Sequence, residues 1–451
     1  MPRRRVFVAN RGEIALRVID ACDRLGFEPV IGVSSGDVDS LPARRAAKAV
    51  VIGGPRAGDS YLNARAIVHA ALATGCSAIH PGYGFLTERP DFARLCADNG
   101  LTFIGPRPAQ LEALGDKLSA RRIAESVGVP VSPGGPTRNV AAALSIAGEV
   151  GYPVLVKAAY GGGGRGMKLV HDQRDLAEAW AVASAEAEAA FGDGTVFVER
   201  FVEQAKHVEV QVLGDERGNR IHLAERECSL QFRYQKMLEE APCAALAPES
   251  RRMLHDYALR IAGELEYVSL GTVEFLYDVN RGEFSFLEVN PRVQVEHPVT
   301  EAVTGVDLVR TQILAALGEP LQLRQQDVAV DGHAIEARLT AQDPDHGLRP
   351  SPGRVTRWRP APLGGVRWDT HLYDGYLIPP YYDALMAKII AHGGDRVSAL
   401  SRLRSALGAT VVEGHPNTLP LLRRLLDAPA MVHNTVTTHW LDDHLASETL
   451  Q

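Results

Sequence analysis

Between Phe284 and Thr300 the chain reads FSFLEVNPRVQVEHPVT, and five polar residues, Glu288, Asn290, Arg292, Gln294 and Glu296, stand at every second position. An extended backbone turns successive side chains to opposite faces, so these five share one face, backed by Val289, Val293 and Val295. Such a row makes poor sense in an apolar core and is over-specified for a wetted surface. The segment is expected to line a polar site, the alternative being one wetted face of a sheet. Pro291 cannot donate to a ladder, so pairing is expected to stop after Asn290, with the last three residues on a loop that still points inward. Glu288 and Asn290, with Glu274 of GTVEFL as a third candidate, offer the hard oxygen ligands that suit magnesium or manganese.

The rest of the chain supplies the frame. From residue 5 to about 115, short β-branched runs at 6–8, 30–33, 50–52, 78–79 and 103–104 alternate with helical patterns, which predicts a parallel, doubly wound N-terminal domain. Ile14, Ala15, Val18, Ile19, Cys22 and Leu25 keep helical spacing, and Gly26 stands where a left-handed C-cap belongs. Beyond PVSPGGP, strands at 154–158 and 167–170 flank GGGGRG, predicting a glycine flap. A helix over 173–191 leads to strands at 195–201, 206–213, 220–226, 271–277 and 283–289, an antiparallel region expected to carry the site. From 331 a third domain of mixed character follows. The boundaries expected are 1–115, 116–330 with a lid at about 131–205, and 331–451.

A run of glycines after a strand bearing Lys157 lets backbone N–H groups close over phosphate oxygens while the lysine meets their charge. It is not a Walker A loop, since no Gly-Lys-Ser/Thr follows, nor a dinucleotide fingerprint, since Ala9-Asn10-Arg11-Gly12 has one glycine where three are needed. With 45% apolar residues and a net charge of −7, the composition is that of a globular chain without the basic surface that nucleic acid or anionic membrane requires. Five scattered cysteines without a C-x-x-C argue against disulfides or zinc and fit a reducing cytoplasm. The opening MPRRRVFVAN is too short in apolar residues for a signal peptide, and no stretch is long enough for a membrane helix.

Eight segments, ANRGEIALRVI, HPGYGFLTE, KAAYGGGGRGMKLV, HVEVQVLGD, ERECSLQ, EVNPRVQVEHPVTE, GHAIEARL and PPYYDALMAKII, resemble the landmark stretches of biotin carboxylases, in order and over essentially the whole chain. The resemblance implies an ATP-grasp central domain with a mobile lid between an N-terminal and a C-terminal biotin carboxylase domain, using ATP, two Mg2+ or Mn2+ ions and bicarbonate. It implies that Lys117 and Lys157 contact phosphates, that Gly161, Gly162, Gly163, Gly164 and Gly166 form the lid loop, and that Glu199, Arg200, Phe201 and Val202 line the adenine pocket with Leu276. His207 and Gln231 then approach the ribose, and Tyr234 also faces the nucleotide. Glu274, Glu288 and Asn290 become metal ligands. Lys236, Arg292, Gln294 and the Val295 backbone hold bicarbonate, Glu296 is its base, and Arg338, with Tyr83 nearby, faces the biotin ureido oxygen.

That assignment answers a physical difficulty, because bicarbonate and the ATP γ-phosphate repel and must nevertheless come within bonding distance. Cationic side chains and metal offset the repulsion, deprotonated bicarbonate attacks phosphorus in line, and the resulting carboxyphosphate releases CO2 beside biotin. No alanine-methionine-lysine-methionine type site is present, so biotin is expected on a separate carrier protein acting in trans, with a carboxyltransferase partner and a homodimeric enzyme. The complex is expected to be of the acetyl-CoA or acyl-CoA carboxylase type, although the acceptor, whether acetyl-CoA, propionyl-CoA or pyruvate, is recognised elsewhere. Three departures stand out: Phe232-Arg233-Tyr234-Gln235-Lys236 has tyrosine where the family usually has histidine, ARRAAKAVVIG lacks the usual His and Ala-Asp, and Gln342 replaces a common Glu. Two other readings remain open: an ATP-grasp ligase that captures an acyl phosphate with an amine or makes carbamoyl phosphate, and an inactive nucleotide-binding homologue.

Overall fold

The structure, a computed structural model, describes residues 4–158 and 167–449. The glycines expected to form the lid loop, Gly161 to Gly164 and Gly166, lie outside the described residues.

Five strands, β1 (Arg5–Val8), β2 (Glu28–Ser34), β3 (Lys48–Gly53), β4 (Ala78–His80) and β5 (Thr102–Phe103), form a parallel sheet in the order β3-β2-β1-β4-β5. Each falls on a β-branched run read from the sequence. Helix α1 (Gly12–Arg24) buries Ile14, Ala15, Val18, Ile19 and Cys22. Gly26 follows it at φ +70°, the left-handed conformation that ends a helix. The strand order reverses between β1 and β4, and in open α/β sheets the crevice beyond the carboxyl ends at that point is where ligands bind. Asn10 to Glu13 follow β1 there, and Pro81 to Tyr83 follow β4.

A small antiparallel sheet comes next, β6 (Gly134–Thr137), β7 (Val154–Ala158), β8 (Lys168–Val170) and β9 (Val196–Arg200), in the order β6-β9-β7-β8. The helices Val140–Val150 and Gln173–Phe191 close a separate apolar cluster against it, around Val154, Val156, Val196 and Val198. The strand read at 195–201 thus belongs to this sheet rather than to the main antiparallel body. Its alternation fits either place, and only pairing partners decide.

The main body is an eight-stranded antiparallel sheet. It comprises β10 (Ala205–Gly214), β11 (Arg220–Phe232), β12 (Gln235–Ala241), β13 (Ser269–Asp278), β14 (Glu283–Asn290), β15 (His333–Thr340) and the strands Leu385–Gly393 and Val366–Thr370. β12, not read from the sequence, is joined to β11 by a two-residue hairpin at Arg233 and Tyr234, which take φ +49° and +64°. β12 then pairs with β15, so one sheet runs through the boundary expected at 330.

Among the described residues no helix is long and apolar enough to cross a membrane. All five cysteines are buried and free.

Candidate active site

The polar row of 284–300 is realised in two halves. β14 ends at Asn290, and Arg292, Gln294 and Glu296 follow on an irregular segment, with Glu296 capping the helix His297–Thr304. Strict alternation would have put Phe284 and Phe286 on the same face as Glu288 and Asn290. A register shift near Leu287 prevents this, since Glu274 pairs with Glu288 but Phe275 with Phe286. The extra residue re-aims the strand: Phe284, Phe286 and Val289 enter the apolar cluster, while Asn290 is held by hydrogen bonds to Glu274 and Arg292.

Two adjoining cavities receive every described residue singled out from the sequence. The first, about 290 Å3, takes Lys117, Lys157, Glu199 to Val202, Gln231 and Leu276. The second, about 760 Å3, takes Tyr83, Lys236, Asn290 and Arg292, the run Gln294 to Glu296, and Arg338. His207, Tyr234, Glu274 and Glu288 border both, so whatever fills one meets what fills the other.

Lys236 is the hub of the second cavity. Its ammonium donates to Glu209 Oε2 and Glu296 Oε1 at 2.6 Å and to Glu274 Oε1 at 3.1 Å. Burial alone would discharge it, yet Glu209, Glu274 and Glu296 hold its pKa well above the usual value. Arg338 grips the other oxygen of Glu296 at 2.9 Å. Burial works to raise the Glu296 carboxyl, but Lys236, Arg338 and Arg226 hold it below the usual carboxylate range. Glu296 is therefore ionised and doubly clamped.

Glu274 Oε1 also accepts from Asn290 Nδ2 and Gln294 Nε2, each at 2.8 Å. The Asn290 amide oxygen accepts from Arg292 at 2.8 Å, and Arg292 pairs with Glu88. His207 lies 3.1 Å from Glu274; burial disfavours its charge, but Glu274 and Glu209 raise its pKa to about 9. In the first cavity Lys157 meets Glu199 at 2.6 Å, and Lys117 stands 3.5 Å from Glu288. Glu274 and Glu288, directly opposed on adjacent strands, form an oxygen-only donor pair with Asn290 beside it, which fits magnesium or manganese.

Glu209 and Arg226 were missed by sequence reasoning. Arg226 is fully buried and uses all its donors, on Glu209, Gln211, Thr272, Gln294 and Thr300. It thereby orients both the partner of Lys236 and Gln294. The available signal was alternation, since His207, Glu209 and Gln211 interleave with Val208, Val210 and Val212 just as the 288–296 row does with its valines.

The family models "Biotin carboxylase, N-terminal domain" (residues 2–111), "Carbamoyl-phosphate synthase L chain, ATP binding domain" (116–324) and "Biotin carboxylase C-terminal domain" (336–443) match in succession. Biotin carboxylase of Nostoc sp. is 45% identical over 97% of this chain and 98% of its own, and biotin carboxylase 1 of Bacillus subtilis is 45% identical over 98% of each. Among solved structures, a Campylobacter jejuni biotin carboxylase with βγ-ATP superposes with a TM-score of 0.94 at 39% identity, covering 98% of this chain and 99% of that one. The biotin carboxylase domain dimer of Hydrogenobacter thermophilus 2-oxoglutarate carboxylase, in complex with MgADP, ADP and bicarbonate, gives 0.92 at 43% identity, covering 98% and 97%.

Proposed function

The chain belongs to the biotin carboxylase family, and from that membership we propose how its side chains divide the work of an ATP-dependent ligase that uses bicarbonate to carboxylate carrier-borne biotin. The observation that carries the assignment is the convergence of Lys236, Arg292, Glu296 and Arg338 on one cavity that shares a wall with a second. Two anions can meet there because Lys117 and Lys157 line the first cavity and Lys236, Arg292 and Arg338 the second, while Glu274 and Glu288, on the wall between them, would hold a metal cation.

ATP takes the first cavity, its adenine among Phe201, Val202 and Leu276 and its phosphates toward Lys117 and Lys157. Lys157 must then exchange Glu199 for phosphate. Glu274, Glu288 and Asn290 hold one or two Mg2+ or Mn2+ ions, which when bound offset phosphate charge. Bicarbonate enters the second cavity against Arg292, Gln294, Lys236 and the Val295 backbone. In doing so it draws on Lys236, one of the two clamps on Glu296. Loosening that clamp raises the proton affinity of Glu296, which then takes the bicarbonate proton as the attack on phosphorus begins. The base is switched on by its own substrate. Carboxyphosphate then breaks down to CO2 and phosphate, the phosphate takes the ureido N–H proton, and Arg338, already lining this space, steadies the ureido oxygen while the nitrogen bonds to CO2.

The carrier acts in trans and a carboxyltransferase takes the product; we place the enzyme in the cytoplasm as a homodimer. Relatives that serve different acceptors match almost equally well, with a pyruvate carboxylase component from Methanothermobacter thermautotrophicus at 43% identity. Acceptor choice therefore resides in the partner, and an acetyl-CoA carboxylase of fatty acid biosynthesis is the assignment to test by identifying the co-purifying biotinylated protein. The reaction itself is tested by bicarbonate-dependent ADP release. Stimulation by free biotin is expected, whereas stimulation by an amine or amino acid would transfer the chain to the acyl-phosphate ligases.

A further inference from the structure

Beneath the second cavity lies a buried ion pair that the roles above do not use. The Lys388 side chain, in the strand Leu385–Gly393, is 0% exposed. Its ammonium donates to the Val295 carbonyl oxygen at 2.9 Å and lies 3.1 Å from Glu13 Oε2, with Asp369 Oδ2 at 3.8 Å. A buried ammonium is tolerated only with charge partners and hydrogen bonds, and well-packed apolar residues would often stabilise the fold as well or better. The position asks for another reason.

Both ends of the pair lead into the site. Glu13 begins α1 at the reversal point of the parallel sheet, and its other oxygen accepts the Tyr83 hydroxyl. Asn10, on the same loop, donates to the carbonyls of Pro81 and Tyr83 at 2.6 and 2.7 Å. The ANRGE segment thus holds the GYG turn by backbone and by phenol. At the other end, the Val295 carbonyl belongs to the peptide whose N–H is that of Glu296. An ammonium fixed on that oxygen sets the peptide plane from which the Glu296 side chain departs.

Resting on the reading of the site given above, we propose that Lys388 is a positioning residue for carboxylation: paired with Glu13 beneath Tyr83, it holds the Val295 carbonyl, fixes the backbone entering Glu296, and ties the biotin side of the cavity to the bicarbonate side. An ångström of misplacement at a reacting group can cost about 10²-fold, so the backbone contact matters although Lys388 touches no substrate.

The test compares Lys388→Met, Lys388→Arg and Glu13→Gln in the full chain, with free biotin as acceptor. For Lys388→Met we expect the bicarbonate KM to rise and kcat to fall by about 10-fold each, with the ATP KM within about twofold. Lys388→Arg restores most of both, and Glu13→Gln lowers biotin stimulation more than it alters the bicarbonate KM. Unchanged bicarbonate parameters in Lys388→Met overturn the proposal, and so does a parallel rise in both KM values, which a merely structural lysine would give. If Lys388→Met fails to fold, the Glu13→Gln/Lys388→Met pair, which removes both charges of the ion pair together, is judged by the same criteria. Absence of bicarbonate-dependent ADP release from the unsubstituted enzyme would remove the reading of the site instead.

Discussion

Single side chains in the second cavity are held by opposing charges, and their substitution has directional consequences. Glu296→Gln keeps the shape but removes the proposed base and one charge on Lys236. Lys236→Gln leaves Glu209, Glu274 and Glu296 crowded without their common cation. Each is expected to lower bicarbonate-dependent ATP cleavage by about 10² to 10³, with nucleotide affinity by calorimetry nearly unchanged. Arg338→Met should cost a similar factor in biotin carboxylation and, because it also frees one oxygen of Glu296, a smaller one in bicarbonate-dependent ATP cleavage. Tyr234 borders both cavities, and a phenol there cannot become cationic near neutral pH as an imidazole does. Tyr234→His is therefore expected to shift the ATP KM more than the bicarbonate KM; an unaltered ATP KM would take this residue out of nucleotide binding.

Elements place these residues through local irregularity as much as through regular pairing. The register shift near Leu287 lets a strand read as continuous alternation serve an apolar cluster and a polar site on opposite faces. The hairpin between β11 and β12 turns on Arg233 and Tyr234, both left-handed, where side chains other than Asn, Asp or Gly are disfavoured. Arg233→Asn is accordingly expected to stabilise the protein, by about 1 kcal/mol in urea titration. Sequence reasoning expected Lys236 and Tyr234 at the site, and both line the cavities, but it did not read the strand that follows Tyr234 and carries Lys236. FRYQK carries no glycine or asparagine to announce a tight turn, and the strain is borne by the fold.

At the scale of the whole molecule, the eight-stranded sheet joins what family matching divides. Leu238 of β12 pairs with Ala337 of β15, and Leu230, Met237 and Leu238 bury themselves in the cluster formed mostly by residues beyond 331. A chain ending at 330 should expose that edge and aggregate, whereas soluble monomeric 1–330 with native-like circular dichroism would contradict a shared core. Acid sensitivity is also global. Burial drives His80 and His371 from 6.5 down to about 3, with Arg17 opposing protonation at the first and Arg11 doing so against Asp37 at the second. Between those values the unfolded chain binds protons that the native state does not, so the contribution of these two histidines is complete above about pH 6.5 and declines as pH falls, by roughly a kcal/mol per unit for each; His207, raised to about 9, acts in the opposite sense and loses its contribution as pH rises from 6.5 through 9. Urea midpoints at pH 7 and pH 5 should show this, with a smaller difference in His371→Gln.

The sequence by itself determined the parallel N-terminal sheet, whose β-branched runs and helical stripes leave little choice, and most of the polar set, because carboxylates, amides and an arginine at every second position from 288 to 296 suit one wall of a polar cavity better than a core or a bare surface. It also carried the chemistry, since the residue types that neutralise two anions are few and stand in recognisable order. Tertiary structure alone decided which carboxylates meet Lys236, that Glu209 and Arg226 belong to the site, and that Lys388 reaches the Val295 backbone. Those contacts join strands far apart in the chain, and charge pairing at a distance leaves no period in the sequence from which it could be read.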